Sequence, residues 1–403
     1  MSIKNEKGKS GLLVFCSFIF IAILNYGYQF VAGRFLSPEE YGTMYSMFSA
    51  SNIALIAGGI MQTAIARSFA IDKFSKNEYK MLLIWHCVIQ GVIAVALGTV
   101  LTCLGYNFFD VVCISVYVFC ANLSLYWIGI TQGKKRFVIF VALCTVVPFS
   151  KIFASLVLIL GGHYDISFLV MAAAGVIAHF AGKIIMRKDA YALESSATYR
   201  QILKTFQASV IPIGSLAAFS FIHNVVAKSI ADDAVAGAYC LAALLGTAMI
   251  SVPSAITPVV IPYASERKDN RLLITALGAS ELLACLGGSV FLMLKEPLLT
   301  FMFKENGAAA EKYVLPIFIM FIPIVAVHVF IYYLVAIGKK GVLNITCIIA
   351  LATIIALSCF VLKDVAFMSY VFCGIYSVAA VILGIFAFFN KKERINPDGS
   401  VKS

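Results

Sequence analysis

Runs of about twenty apolar residues recur along almost the whole chain with short polar connections between them, a pattern that makes lipid the solvent for most of its surface. In a bilayer the backbone has to satisfy its own hydrogen bonds, so runs of this length fold as helices. Composition agrees: of 403 residues 61% are hydrophobic and 13% charged, more apolar surface than one water-soluble core hides. The fold class is therefore an all-α polytopic membrane protein. No stretch is long or polar enough for a soluble catalytic domain, and an enzyme is not expected.

Apolar stretches of at least about 18 residues lie at 11–33, 42–66, 81–104, 109–132, 137–160 and 166–186, and again at 206–228, 237–262, 272–294, 313–337, 342–362 and 366–389. About twelve transmembrane helices follow, with both chain ends on one side. The N-terminal MSIKNEKGKS and the apolar stretch behind it have the outline of a signal peptide. That stretch is too long and lacks a small-residue cleavage site, so it is read as a retained first span. The longest outer connection, near Lys295 to Lys312, reads as short and unremarkable.

A formal net charge of +11 would suit nucleic acid or acidic partners, but its distribution assigns it to topology. On the side of the N-terminus stand 24 of the 31 basic residues, including Lys4, Lys7, Lys9, Arg67, Lys73, the Lys134-Lys135-Arg136 run, Arg187, Lys188, Lys268, Lys391 and Lys392. The other side has six: Arg34, Lys228, Lys295, Lys304, Lys312 and Lys363. Both termini are thus expected in the cytoplasm, with no nucleic-acid partner. The remaining cation, Lys151, lies inside a span. All eleven cysteines fall within spans with no CxxC and no metal-ligand spacing, and read as small apolar fillers.

The chain also repeats itself. VAGRFLSPEEYG at Val31 to Gly42 aligns with VAKSIADDAVAG at Val226 to Gly237, an offset of 195 that also sets Gln29 on Asn224 and His86 on Glu281. GKK at Gly133 recurs at Gly338, where the longer outer connection has widened the offset to 205. Two six-helix bundles, 1–195 and 196–403, are read from this order. Each has an even number of spans, so they are parallel repeats about an axis along the membrane normal, and a substrate site belongs between them. A helical scaffold without a pathway would carry the same duplication.

The segment Asn25 to Arg67, NYGYQFVAGRFLSPEEYGTMYSMFSASNIALIAGGIMQTAIAR, resembles the multidrug/oligosaccharidyl-lipid/polysaccharide (MOP) exporter superfamily, and within it the Wzx-type O-antigen and polysaccharide branch. Its polar first span, the turn A-G-R-F-L-S-P-E-E-Y-G and the glycine-bearing second span carry the likeness. Ser37 stands where that family usually has glycine. The resemblance implies two bundles around a central cavity opening alternately to either side of a bacterial inner membrane. It implies a flippase for a polyprenyl-pyrophosphate-linked oligosaccharide, with a polysaccharide polymerase as a downstream partner. A cation-coupled drug or metabolite antiporter on the same fold is the alternative, and charge inside the spans bears on the choice. A pyrophosphate headgroup needs fixed positive charge, whereas organic cations need carboxylates.

Lys151, in SKIF, lies about nine residues or about 13 Å from the outer end of its span, too deep for snorkelling, with Pro148 almost one turn before it. It is read as binding pyrophosphate or an acidic sugar, or else as half of a buried structural pair. Arg34 and Lys228, one position apart in the repeat alignment, form either an outer phosphate rim or local pairs with Glu39 or Glu40 and Asp232 or Asp233. Arg67 is a headgroup contact or a positive-inside anchor. Gln29 and Asn224 join Asn25, Tyr26, Tyr28, Asn122, Tyr126 and Trp127 in polar, aromatic clusters that suit sugar rings or interfacial belts. Glu281 and His86 are candidates for proton or sodium coupling. His179, His223 and His328 are scattered and read as packing or cavity-lining groups. No resident cofactor or metal is expected.

Overall fold

The computed structural model describes residues 2–71, 75–186, 198–267, 270–304, 306–337 and 339–389. Thirteen helices run through them: α1 Ser2–Phe35, α2 Pro38–Ile71, α3 Lys76–Cys103, α4 Phe108–Gly133, α5 Phe137–Gly161, α6 Tyr164–Met186, α7 Tyr199–Ile230, α8 Asp233–Arg267, α9 Asn270–Met293, α10 Lys295–Phe303, α11 Asn306–Ala336, α12 Lys340–Phe360 and α13 Val365–Phe389. Eleven of them, all but α1 and α10, are long and apolar enough along the described residues to cross a membrane, and α1 adds a twelfth long helix of 34 residues. The twelve long helices fall on the twelve apolar stretches. Lys73, Arg187, Lys188, Lys268, Lys391, Lys392, Arg394 and Lys402 lie outside the described residues, as does the expected bundle boundary at 195. The side chains of Lys4, Lys7, Lys9, Pro253, Pro258 and Pro262 are not among those described either.

Local chemistry sets the helix ends. The SPEE turn is a capping box: Ser37 N–H donates to Glu40 Oε2 at 2.9 Å, Glu40 N–H donates to Ser37 Oγ at 3.3 Å, and Pro38 opens α2 where a missing N–H costs nothing. Ser75 caps α3 through Glu78 N–H, and Glu78 in turn accepts from Tyr199 N–H at the start of α7, at 2.7 Å. Gly162, at φ 70°, closes α5 in the left-handed conformation that glycine allows. Within α11, Pro323 has no N–H to offer Ile319 one turn back, and the Cys373 thiol of α13 donates to that carbonyl at 3.6 Å.

Helices α1–α6 pack as one bundle and α8–α13 as another, with α7 between them. α2 lies along α4 within its own bundle and along α7 and α8 of the second repeat. Buried aromatic and aliphatic side chains such as Tyr126, Phe168, Phe321 and Tyr376 fill the bundle cores, and small residues mark the closest helix crossings. At Gly133 of α4 an added Cβ would stand 2.6 Å from the Ala66 carbonyl of α2. The exposed large side chains, among them Val95, Leu160, Ile184, Met293 and Phe360, form the belt that lipid covers.

One expectation fails. The Lys295 to Lys312 connection is not featureless: it holds α10, a nine-residue helix with Leu299 and Phe303 buried. The sequence KEPLLTFMF is too short to be counted as a span and too apolar to lie free in water.

Candidate functional site

Among the described residues the two repeats come into backbone contact where α2 and α8 begin, through the residues that the repeat alignment pairs. A Cβ on Gly42 would lie 2.7 Å from the Gly237 backbone nitrogen, and one on Gly237 would strike the Pro38 carbonyl. Two helices cross here with backbones in contact, a separation that only glycine at both positions allows. Two turns inward, Asn224 Nδ2 of α7 donates to Ser49 Oγ of α2 at 3.0 Å.

The seam is not symmetric. α2 runs along α7, whereas between α1 and α8, the pair that the pseudo-symmetry relates to them, the described side-chain contact is Leu241 against Gly33. Toward its C-terminal end α2 keeps an open stripe: among the described residues nothing lies within 4 Å of a Cβ added at Gly59, and Thr63 and Arg67, four and eight residues on, are exposed. Helices α3, α4, α7 and α8 all pack along α2.

Lys151 sits ten residues before the end of α5, about 15 Å in from that end. It is 5% exposed. Its Nζ donates to Asn25 Oδ1 of α1 at 2.7 Å and lies 4.5 Å from the Phe48 ring centroid and 5.7 Å from that of Tyr28. Tyr28 is held in turn by Ser167 of α6 at 2.7 Å. Among the described residues no carboxylate pairs with Lys151. Insertion scales charge about 2.5 to 3.5 kcal/mol for a lysine at mid-membrane depth. One amide hydrogen bond and two ring faces, each worth about 0.5 to 2 kcal/mol, offset much of that without neutralising the charge.

The other sequence-expected residues are distributed as follows. Gln29, one turn from Asn25, is 4% exposed, and neither amide atom has a protein partner; Asn224 is fully buried with its Oδ1 unpartnered. Both belong to the layer that carries Lys151 and the α2–α7 seam. Arg34 and Lys228 part company. Lys228 pairs with Asp233 at 2.5 Å, the local alternative, while Arg34 leaves Glu39 and Glu40 and donates Nη1 to the Phe301 carbonyl of α10 at 2.9 Å. Arg67 stands at the C-terminal end of the open stripe.

His86 and Glu281 occupy matched places, each inside its own bundle and away from the seam. His86 Nε2 meets the Asn122 carbonyl of α4 at 2.9 Å, and the Glu281 carboxyl hydrogen-bonds to the backbone of Ala326 in α11. His223 contacts Tyr239 at 3.1 Å and His328 contacts Ser220 at 3.3 Å, both inside the second bundle, while His179 accepts from Trp127 Nε1 at 3.2 Å in the first. His223 and His328 are buried, whereas His179 is partly exposed. Asn122 and Gln90 join at 2.7 Å beside His86, so part of the polar cluster of span four also packs its bundle.

Sequence reasoning missed Phe48, Ser49 and Ser167. The serines at 46, 49 and 51, all buried, were the available signal that α2 has polar neighbours on both sides.

The whole chain superposes on solved membrane transporters of one fold. It matches the lipid II flippase MurJ in an inward closed conformation with a TM-score of 0.65 at 14% identity, over 94% of this chain and 87% of that one. An outward-facing multidrug resistance MATE family transporter of the MOP superfamily matches with a TM-score of 0.66 at 16% identity, over 95% of each chain. A MOP superfamily transporter from Pyrococcus furiosus, described as having a binding pocket of reverse polarity, matches with a TM-score of 0.63 at 15% identity, over 95% of each. No protein-family model matches the sequence, and no curated protein matches it at a significant level. The fold is that of the MOP superfamily.

Proposed function

We propose that the chain is a Wzx-type flippase, carrying a polyprenyl-pyrophosphate-linked oligosaccharide repeat unit from the cytoplasmic to the outer leaflet of a bacterial inner membrane by alternating access. The observation that carries this reading is Lys151, a cation buried at membrane depth, held by an amide and two aromatic rings and paired with no acid among the described residues. A pyrophosphate supplies the missing negative charge, and rings and amides of the kind beside it suit the sugars that follow. On this reading the headgroup loads from the cytoplasmic face, where Arg67, exposed toward the end of α2, is its first contact. Gln29 and Asn224 are polar contacts deeper in.

The likeness to MurJ, whose name records a lipid-linked cargo, supports transport of this class on this fold, and it supports transport rather than catalysis. The polysaccharide polymerase that would use the delivered unit is the partner this reading implies. Cytoplasmic termini follow from the charge count.

A drug or metabolite antiporter is the second reading. The MATE likeness and the Glu281 carboxyl inside the second bundle favour it, and proton or sodium coupling through Glu281 and His86 belongs to either reading. Deleting the gene in its host and quantifying lipid-linked oligosaccharide by leaflet separates the two. Accumulation on the cytoplasmic face, relieved by wild type and not by Lys151→Ala, supports the flippase; unchanged lipid-linked sugar and surface polysaccharide leave the antiporter.

A further inference from the structure

The short helix α10 belongs by sequence to the second repeat and by contact to both. Lys295 Nζ ties its first turn to Glu311 of α11 at 2.8 Å, and Gly307 allows the return into α11 with its Cα close under the Leu299 carbonyl. Its last turn leaves its own bundle and lies on the last two turns of α1. The Phe301 ring stands 5.8 Å from Phe30, and the Phe301 carbonyl accepts from Arg34. Phe303, 1% exposed, fills the space over Gly33 that any side chain there would take, and its ring is 6.2 Å from Tyr41 at the start of α2. Lys304 Nζ lies 5.9 Å from the Phe35 ring. Five contacts thus bind one end of a nine-residue helix to the outer end of the opposite bundle.

We propose that α10 is a latch on the outer gate, holding the first bundle's outer end shut against the second, and that Arg34 and Phe303 are its positioning residues. This rests on the alternating-access reading. α1 and α8 otherwise meet thinly in this structure, and the docked end of α10 spans the place where the outer mouth must open. Lys304, which ends the helix, has φ 54° and ψ −132°, a backbone conformation rarely adopted outside glycine, so the docked helix is held at a strained joint. The described contacts that its last turn makes across to the first bundle are with α1 and the first turn of α2, so these break together when the bundles part. Arg34 on this account serves closure and not the cargo.

The test uses the full chain in vesicles, with Ser49→Cys as reporter, since Ser49 is buried where α2 meets Asn224. Labelling by a membrane-impermeant maleimide from the α10 side is read as the difference from protein lacking that cysteine. Oxidising Gly33→Cys with Phe303→Cys should cross-link α1 to α10 and reduce reporter labelling to background, with recovery on reduction. Arg34→Ala should raise labelling about fivefold, the population shift expected when one charge-assisted hydrogen bond leaves the closed state. Reporter labelling that ignores the cross-link overturns the latch while leaving transport intact, and so does failure of the two cysteines to cross-link. If the reporter is never labelled from that side in any variant, the outer mouth does not open, and the alternating-access reading falls with the latch.

Discussion

Lys151 Nζ on α5 and Asn25 Oδ1 on α1 are 2.7 Å apart, and this contact joins the deepest described cation in the protein to a neutral amide instead of a carboxylate. A lysine kept for packing alone would be expected to have an acid beside it. Removing such a charge in favour of an apolar chain of similar length is neutral or stabilising, by about 1 kcal/mol or more. Lys151→Met should therefore melt at the same or a higher temperature in detergent while losing transport at least about tenfold. A drop in melting temperature together with lost transport would assign the lysine to structure.

The glycine pair at the outer crossing gives a second expectation. Gly237→Val forces α8 away from the Pro38 carbonyl, and overpacking of this kind costs about 1 to 3 kcal/mol. The closed outer end bears that cost, so the variant should populate the outward-open form and expose a cysteine placed at Ser49. Unchanged exposure with a normal melting temperature would mean that the crossing is not the closed gate.

Lys228 and Asp233 form an ion pair at the outer end of α7, with the Asp233 side chain 60% exposed. Pairs this open contribute about 0 to 1 kcal/mol. Lys228→Met should keep transport within about twofold of wild type at any salt concentration. A tenfold loss would restore Lys228 to the cargo path, where the sequence alone had allowed it.

The spans were legible because lipid imposes one rule on every helix, and twelve apolar stretches became twelve long helices. The repeat was legible through its turns: SPEEYG is a capping box, and its mate supplies the glycine that meets Gly42. What sequence could not give was which helices touch. Arg34 and its acceptor Phe301 are 267 positions apart, and nothing local tells an arginine beside two glutamates to prefer a distant carbonyl. The depth of Lys151 was readable by counting residues, but its aromatic neighbours came from other helices. Helix α10 was hidden by length, since nine apolar residues can be neither a span nor a solvated loop.

Glu281, which hydrogen-bonds to the backbone of Ala326, carries the fourth expectation. If it couples transport to protons, Glu281→Gln should bind cargo normally and lose the response of transport to an imposed pH gradient, measured in vesicles with the gradient set in either direction. Equal responses in variant and wild type would leave Glu281 as a packing group.

The central claim is that Lys151 holds a pyrophosphate-linked lipid during its passage across the membrane. The most direct measurement reconstitutes the full chain in vesicles with fluorescent polyprenyl-pyrophosphate oligosaccharide and follows its loss from one leaflet with an impermeant quencher. Wild type should move the lipid, Lys151→Ala should not, and free pyrophosphate should compete for loading in the wild type alone. Movement by Lys151→Ala at the wild-type rate, in protein folded to the same extent, would contradict the account.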